Sequence, residues 1–178
     1  MEPAPHKNTA LLWSDIETPA LVRLSDIGCD GFECALLPMV RDLTITCLEP
    51  ECQSWIPVYN KAHDLWGPRT GLPLVNTLAQ IVVALIRVRG AQLNVLHSRK
   101  DRQDAFVTQD EQCFLLALHH FRRQHQNAAG DFLLELTGGL YDRELWWQCL
   151  AFGQRHSCGE ALPRHADEGR FTGLHVVR

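Results

Sequence analysis

The sequence predicts a mainly α fold, a single compact helical domain over residues 1–178 with a short β element near residues 42–48. Two helix signals and one bulk property carry that prediction. Leu74, Leu78, Ile81, Leu85 and Val88 recur at steps of three and four, the period of one helix face, and Val75, Val82 and Ile86 widen the stripe until little of the segment is polar. Thr108 and Glu111 have the T-x-x-E spacing of a capping box, in which each side chain accepts from the other residue's backbone amide at a helix start. The composition, 46% hydrophobic and 21% charged, belongs to a chain that buries one core.

The elements follow in chain order. Residues 1–12, with Pro3 and Pro5, read as a flexible arm. Leu21, Leu24 and Ile27 stand at helical spacing and predict a short helix from Pro19, ended by Gly28, with a second over Phe32–Leu37 ahead of Pro38. In DLTITCL, Leu43, Ile45 and Cys47 alternate with Thr44 and Thr46, the period of a half-buried strand. Pro57, Gly67, Pro68, Gly71 and Pro73 predict loop from Ser54 to Leu72, with one helical turn around Tyr59–Leu65. The apolar helix then runs from Pro73, a residue tolerated in a first turn, to a stop at Gly90. Its uncharged run is broken by Asn76, Thr77 and Gln80 and falls short of the roughly 20 apolar residues of a membrane span, so it reads as a core helix.

Beyond the charged link SRKDRQD, Thr108 opens a helix to about Gln126 that buries Phe114, Leu118 and Phe121. Asp131 is placed to cap a third helix ending at Gly138 and Gly139. Asp142 caps a fourth, in which Leu145, Cys149 and Phe152 share a face. Residues 159–178 have no lasting period and read as a loosely packed tail.

Net charge is −4, which argues against nucleic acid as an overall partner, but the charges are segregated. Residues 1–66 hold ten acids and four bases, whereas residues 67–126 hold eight bases and four acids. Arg87, Arg89, Arg99, Lys100, Arg102, Arg122 and Arg123 are therefore the candidate anion or nucleic-acid contacts. Fourteen arginines against three lysines suggest a GC-rich bacterial genome. The N-terminus carries prolines where a signal peptide has an unbroken apolar core, so a cytoplasmic location is expected. Seven cysteines in that setting are expected as thiols or metal ligands rather than as a disulfide framework.

Four of them form an echo, CDGFEC and CLEPEC, and Cys29, Cys34, Cys47 and Cys52 are the candidate metal ligands. Tetrahedral zinc needs four thiolates converging from two tight turns. Glu33 and Glu51 beside the second cysteine of each pair disfavour the thiolate, and buried core thiols or a redox pair are the competing explanations. In ALHHFRRQHQ no two histidines stand four apart, so the segment reads as a basic helix end and not as a ligand pair. RHSCG brings His156 near Cys158 in sequence without the distant partners a cysteine nucleophile requires. Adjacent Trp146 and Trp147 cannot both face one core, which leaves one of them exposed as a protein-binding anchor.

Together these features predict a small cytoplasmic, non-enzymatic binding or regulatory protein whose partner is another protein or a second copy of itself, as a homodimer. The alternatives are a DNA-binding transcriptional regulator using the basic middle third and an enzyme with a Cys or His centre. Zinc is the one cofactor suggested, no catalytic residue is assigned and no membrane partner is expected.

Overall fold

A computed structural model describes residues 21–96 and 105–158, and these form a mainly α domain with one small antiparallel ribbon. The predicted arm, the predicted tail and the whole SRKDRQD link lie outside the described residues. The ribbon pairs β1 (Val22–Arg23) with β2 (Phe106–Val107), Val22 opposite Val107 and Arg23 opposite Phe106. A single 3₁₀ turn at Leu24–Asp26 follows β1, where the sequence predicted a short helix: Leu24 donates its amide to Ala105, so the backbone pairs outward instead of along a helix.

Helix α1 (Gly31–Leu48) opens on a capping box, with Asp30 accepting from the Glu33 amide at 2.9 Å and Glu33 accepting from the Asp30 amide at 2.8 Å. It runs straight through Pro38 and absorbs the strand expected near residues 42–48, which is corrected to helix. Leu36, Leu37, Val40, Leu43 and Thr44 are buried at helical spacing, and Thr46 returns its hydroxyl to the Asp42 carbonyl at 2.8 Å. A nucleated helix adds one hydrogen bond for each residue it fixes, and that outweighs the small strand preference of a few β-branched side chains. Cys47 is consequently exposed, not on a core face.

The predicted loop at 54–72 is also helical. Helix α2 (Trp55–Arg89) is two helical arms joined at Gly67, whose φ of 70° interrupts the helical geometry. Pro68 then occupies the first turn of the second arm, where its missing N–H is harmless. The bend folds the arms together so closely that a Cβ on Gly71 would sit 2.2 Å from the Ala62 carbonyl oxygen. Within the second arm Leu74, Val75, Leu78, Ile81, Val82 and Leu85 are at most 1% exposed, as the stripe predicted. This is the one described helix long and apolar enough to cross a membrane, and half of its most apolar stretch is buried against the other helices.

Helix α3 (Gln109–Arg122) begins on the predicted capping box, with Thr108 accepting from the Glu111 amide at 3.1 Å and Glu111 from the Thr108 amide at 3.0 Å. The chain turns at Gln124 into α4 (Gln126–Leu136), so Asp131 lies inside that helix and does not cap it. Asp142 does cap α5 (Arg143–Arg155), accepting from the Leu145 amide at 2.7 Å, and Leu145, Cys149 and Phe152 are buried together.

Candidate functional site

Two places in this fold gather more chemistry than packing requires. The first lies where the start of α1 meets the end of α3. Glu33 is fully buried, and its carboxylate is the centre of the cluster. Oε1 accepts from Arg122 Nη1 and from Arg123 Nη1, the latter at 2.7 Å, while Oε2 lies 2.9 Å from His119 Nδ1. Arg122 Nη1 also reaches Asp30 Oδ2 at 2.7 Å, its Nε donates to the His156 carbonyl at 2.7 Å, and its guanidinium lies 4.4 Å from the centre of the Phe32 ring. Arg123 Nη2 touches Asp30 Oδ2 at 3.3 Å and Cys158 Sγ at 3.7 Å. His156 packs against the rings of both Phe32 and Phe152.

The electrostatics follow from those contacts. Burial alone would raise the Asp30 carboxyl, but the Glu33 amide and Arg122 outweigh it and hold the group at about 2. Burial likewise opposes ionisation of Glu33, and the Asp30 amide, His119 and Arg123 together still bring it below its ordinary value. Burial and the neighbouring Glu33 carboxylate push the Cys29 thiol up to about 12, and the same two causes raise Cys34. His156 is held below its ordinary value by burial and then by Arg155 and Arg122. The cluster is thus a pair of carboxylates neutralised by two arginines, with neutral thiols beside them.

Cys29, Glu33 and His119 put their ligand atoms within 4.8 Å of one another, a sulfur, oxygen and nitrogen set compatible with zinc. Cys34 is next to it, its Sγ 3.8 Å from the Cys29 carbonyl oxygen. Cys47 and Cys52 are exposed near the other end of α1, and the 13 residues from Cys34 to Cys47 span about 20 Å of helix at 1.5 Å each. The described geometry therefore gathers half of the cysteine echo and adds Glu33 and His119, neither of which was a candidate ligand from sequence. D-x-x-E at residues 30–33 repeats the cap spacing of T-x-x-E, and it was the signal that could have found Glu33.

Among the arginines singled out by charge, Arg122 and Arg123 serve this cluster. Arg87 pairs with Glu144 at 2.9 Å and Asp142 at 3.4 Å, and Arg89 with Asp110 at 3.3 Å. Arg99, Lys100 and Arg102 lie outside the described residues.

The second place is the α4–α5 hairpin. Trp146 turns inward, its ring edge-on to Phe121 with centroids 5.2 Å apart and packed close against Gly130, while Trp147 is 53% exposed. Leu134, Leu140 and Tyr141 are exposed on the same hairpin, Tyr141 at 66%. Between them Leu133, Leu145 and Trp146 line an apolar recess of about 10 Å³, the room of one water and too small for a substrate. Cys149 is fully buried, and burial raises its thiol. Compared with known proteins, the chain matches no family model, and no curated protein or solved structure matches it.

Proposed function

We infer that this chain is a non-enzymatic, cytoplasmic binding protein that works by self-association, with the α4–α5 hairpin as its contact surface. The observation that supports this most is the concentration of large apolar side chains there: Leu134, Leu140, Tyr141 and Trp147 are all at least 40% exposed on one hairpin. Scattered exposed apolar residues are ordinary, whereas aromatic anchors beside a recess are the composition of an interface centre. A second copy is the simplest occupant because the hairpin is self-complementary in charge. Asp131 and Glu135 are exposed on α4 and Arg143 on α5, so the hairpin offers charges of both signs to a two-fold partner. The DNA-binding reading has less support, since Arg87, Arg89, Arg122 and Arg123 are already matched to carboxylates.

Sedimentation velocity over a concentration series tests the reading. The expected result is a dimer that Trp147→Lys and Tyr141→Lys each convert to monomer without changing the far-UV circular dichroism. A wild-type chain that stays monomeric at its highest soluble concentration, or a dimer that survives both substitutions, sinks it.

A further inference from the structure

The cluster at the α1–α3 junction supports a site that is independent of self-association. We propose that the chain binds one zinc ion through Cys29, Glu33 and His119, with Cys34 or water in the fourth position. Zinc bonds of about 2.0–2.3 Å set neighbouring donor atoms roughly 3.3–3.6 Å apart in a tetrahedron, so the three donors, all within 4.8 Å, need their separations shortened by about 1.5 Å at most.

Their chemistry suits a borderline-soft ion, which takes thiolate, imidazole and carboxylate together, and would not suit magnesium or calcium. Each donor comes from a separately fixed element. Glu33 is held in the first turn of α1 by the capping box, His119 stands in the last turn of α3, and Cys29 lies in the loop immediately before α1. Arg122 and Arg123 both occupy Glu33 Oε1, so the ion approaches Oε2, which lies 2.9 Å from His119 Nδ1 and also accepts the Asp30 amide at 2.8 Å. Such second partners orient a ligating carboxylate.

Charge also favours a fourth ligand from the protein. Asp30 and Glu33 cancel Arg122 and Arg123, so an ion of charge +2 with one thiolate leaves the site at +1. The thiolate of Cys34 brings it to zero. Cys29, Cys34 and His119 are each partly exposed, so an ion reaches the donors from solvent without unfolding. Binding displaces the Cys29 thiol proton and ties the loop before α1 to α3.

The test is titration of the chelator-stripped full chain with zinc chloride against a chromophoric competitor, and separately with cobalt(II), whose absorption reports sulfur ligation and tetrahedral geometry. Expected are one ion per chain, a sulfur-to-cobalt band, and at least roughly tenfold weaker binding in Cys29→Ser and in His119→Gln. Cys47→Ser and Cys52→Ser leave binding unchanged. No bound ion in the wild-type chain, unchanged affinity in both ligand variants, or loss of binding in Cys47→Ser overturns the proposal. If the ligand variants fail to fold, alkylation of the wild-type chain mapped by mass spectrometry decides it. Zinc must slow modification of Cys29 and not of Cys47, and equal rates with and without zinc are refuting.

Discussion

Replacing Arg41 by methionine is the most revealing single change, because it removes one half of a fully buried ion pair and keeps most of the side-chain stem. Arg41 and Glu111 have side chains 1% exposed, joined Nε to Oε1 at 2.7 Å and Nη2 to Oε2 at 2.9 Å, and Nη2 also donates to the Phe106 carbonyl at 2.6 Å. In Arg41→Met the Glu111 carboxylate stays buried with no counter-charge, a situation that costs about 3–5 kcal/mol. Glu111 still accepts from the amides of Leu96 and Thr108, each at 3.0 Å, which places the loss near the low end, about 3 kcal/mol. For a chain of this length that lowers the melting temperature by about 6–12 °C. Urea titration at neutral pH should show a lower midpoint with an unchanged slope. The double variant Arg41→Met with Glu111→Gln should recover part of the loss, since no unpaired charge remains. An Arg41→Met chain within about 0.5 kcal/mol of wild type, or a double variant as unstable as the two single losses added, would refute the reasoning.

Other substitutions separate packing from backbone effects. Gly71→Ala should cost about 1–3 kcal/mol in thermal unfolding, because the added methyl meets the Ala62 backbone, which cannot move aside. Gly67→Ala has open space around the new methyl, but φ 70° with ψ 171° is a backbone region open essentially to glycine, so it should cost about 1–3 kcal/mol through strain alone; a Gly71→Ala chain as stable as wild type would contradict the close crossing of the two arms. Thr108→Ala removes the α3 cap and a 2.6 Å bond to the Asn94 carbonyl, and should cost about 1 kcal/mol or slightly more by urea titration. Asp30 titrates lower in the folded chain than its ordinary 3.8, at about 2, so its stabilising effect is complete above pH 3.8 and is lost as pH falls toward 2. Asp30→Asn should flatten stability across that acid window, and an unchanged pH dependence would mean that Asp30 is not held by Arg122.

Legibility in the sequence followed the scale of the interaction. The second arm of α2, the Thr108 box and the Asp142 cap are local patterns, and each stands where its pattern placed it. The strand expected near residues 42–48 and the loop expected at 54–72 failed for a common reason. Threonines and prolines carry intrinsic preferences for strand and loop, while burial of Val40, Leu43 and Thr44, and of Val58 and Ala62, decides the outcome. Pro68 shows the same point from the other side, since a helix breaker becomes a helix starter once Gly67 turns the chain before it. The polar cluster was least legible because its paired carboxylates and arginines lie up to 93 residues apart in the chain. Arg122 and Arg123 looked like a surface charge run, and only the fold supplies the carboxylates that absorb them.

The two capping boxes explain how those charges come to be buried at all. Glu33 and Glu111 each occupy the third position of a helix, where the cap amide already satisfies one carboxylate oxygen and the helix N-terminus favours negative charge. Each is then reached by arginine from the other helix: Arg122 and Arg123 at the end of α3 meet Glu33 at the start of α1, and Arg41 of α1 meets Glu111 at the start of α3. Because Glu33 meets the end of α3 while Arg41, further along α1, meets its start, both sets of contacts are made only when α1 and α3 run antiparallel. A parallel or slipped packing strands at least one glutamate in the core without its arginine, at the cost of an unpaired buried charge. Apolar faces tolerate small slides, and these two reciprocal clamps do not, so the register of α1 on α3, and with it the approach of Cys29 to His119, is set by charge and not by the hydrophobic stripe.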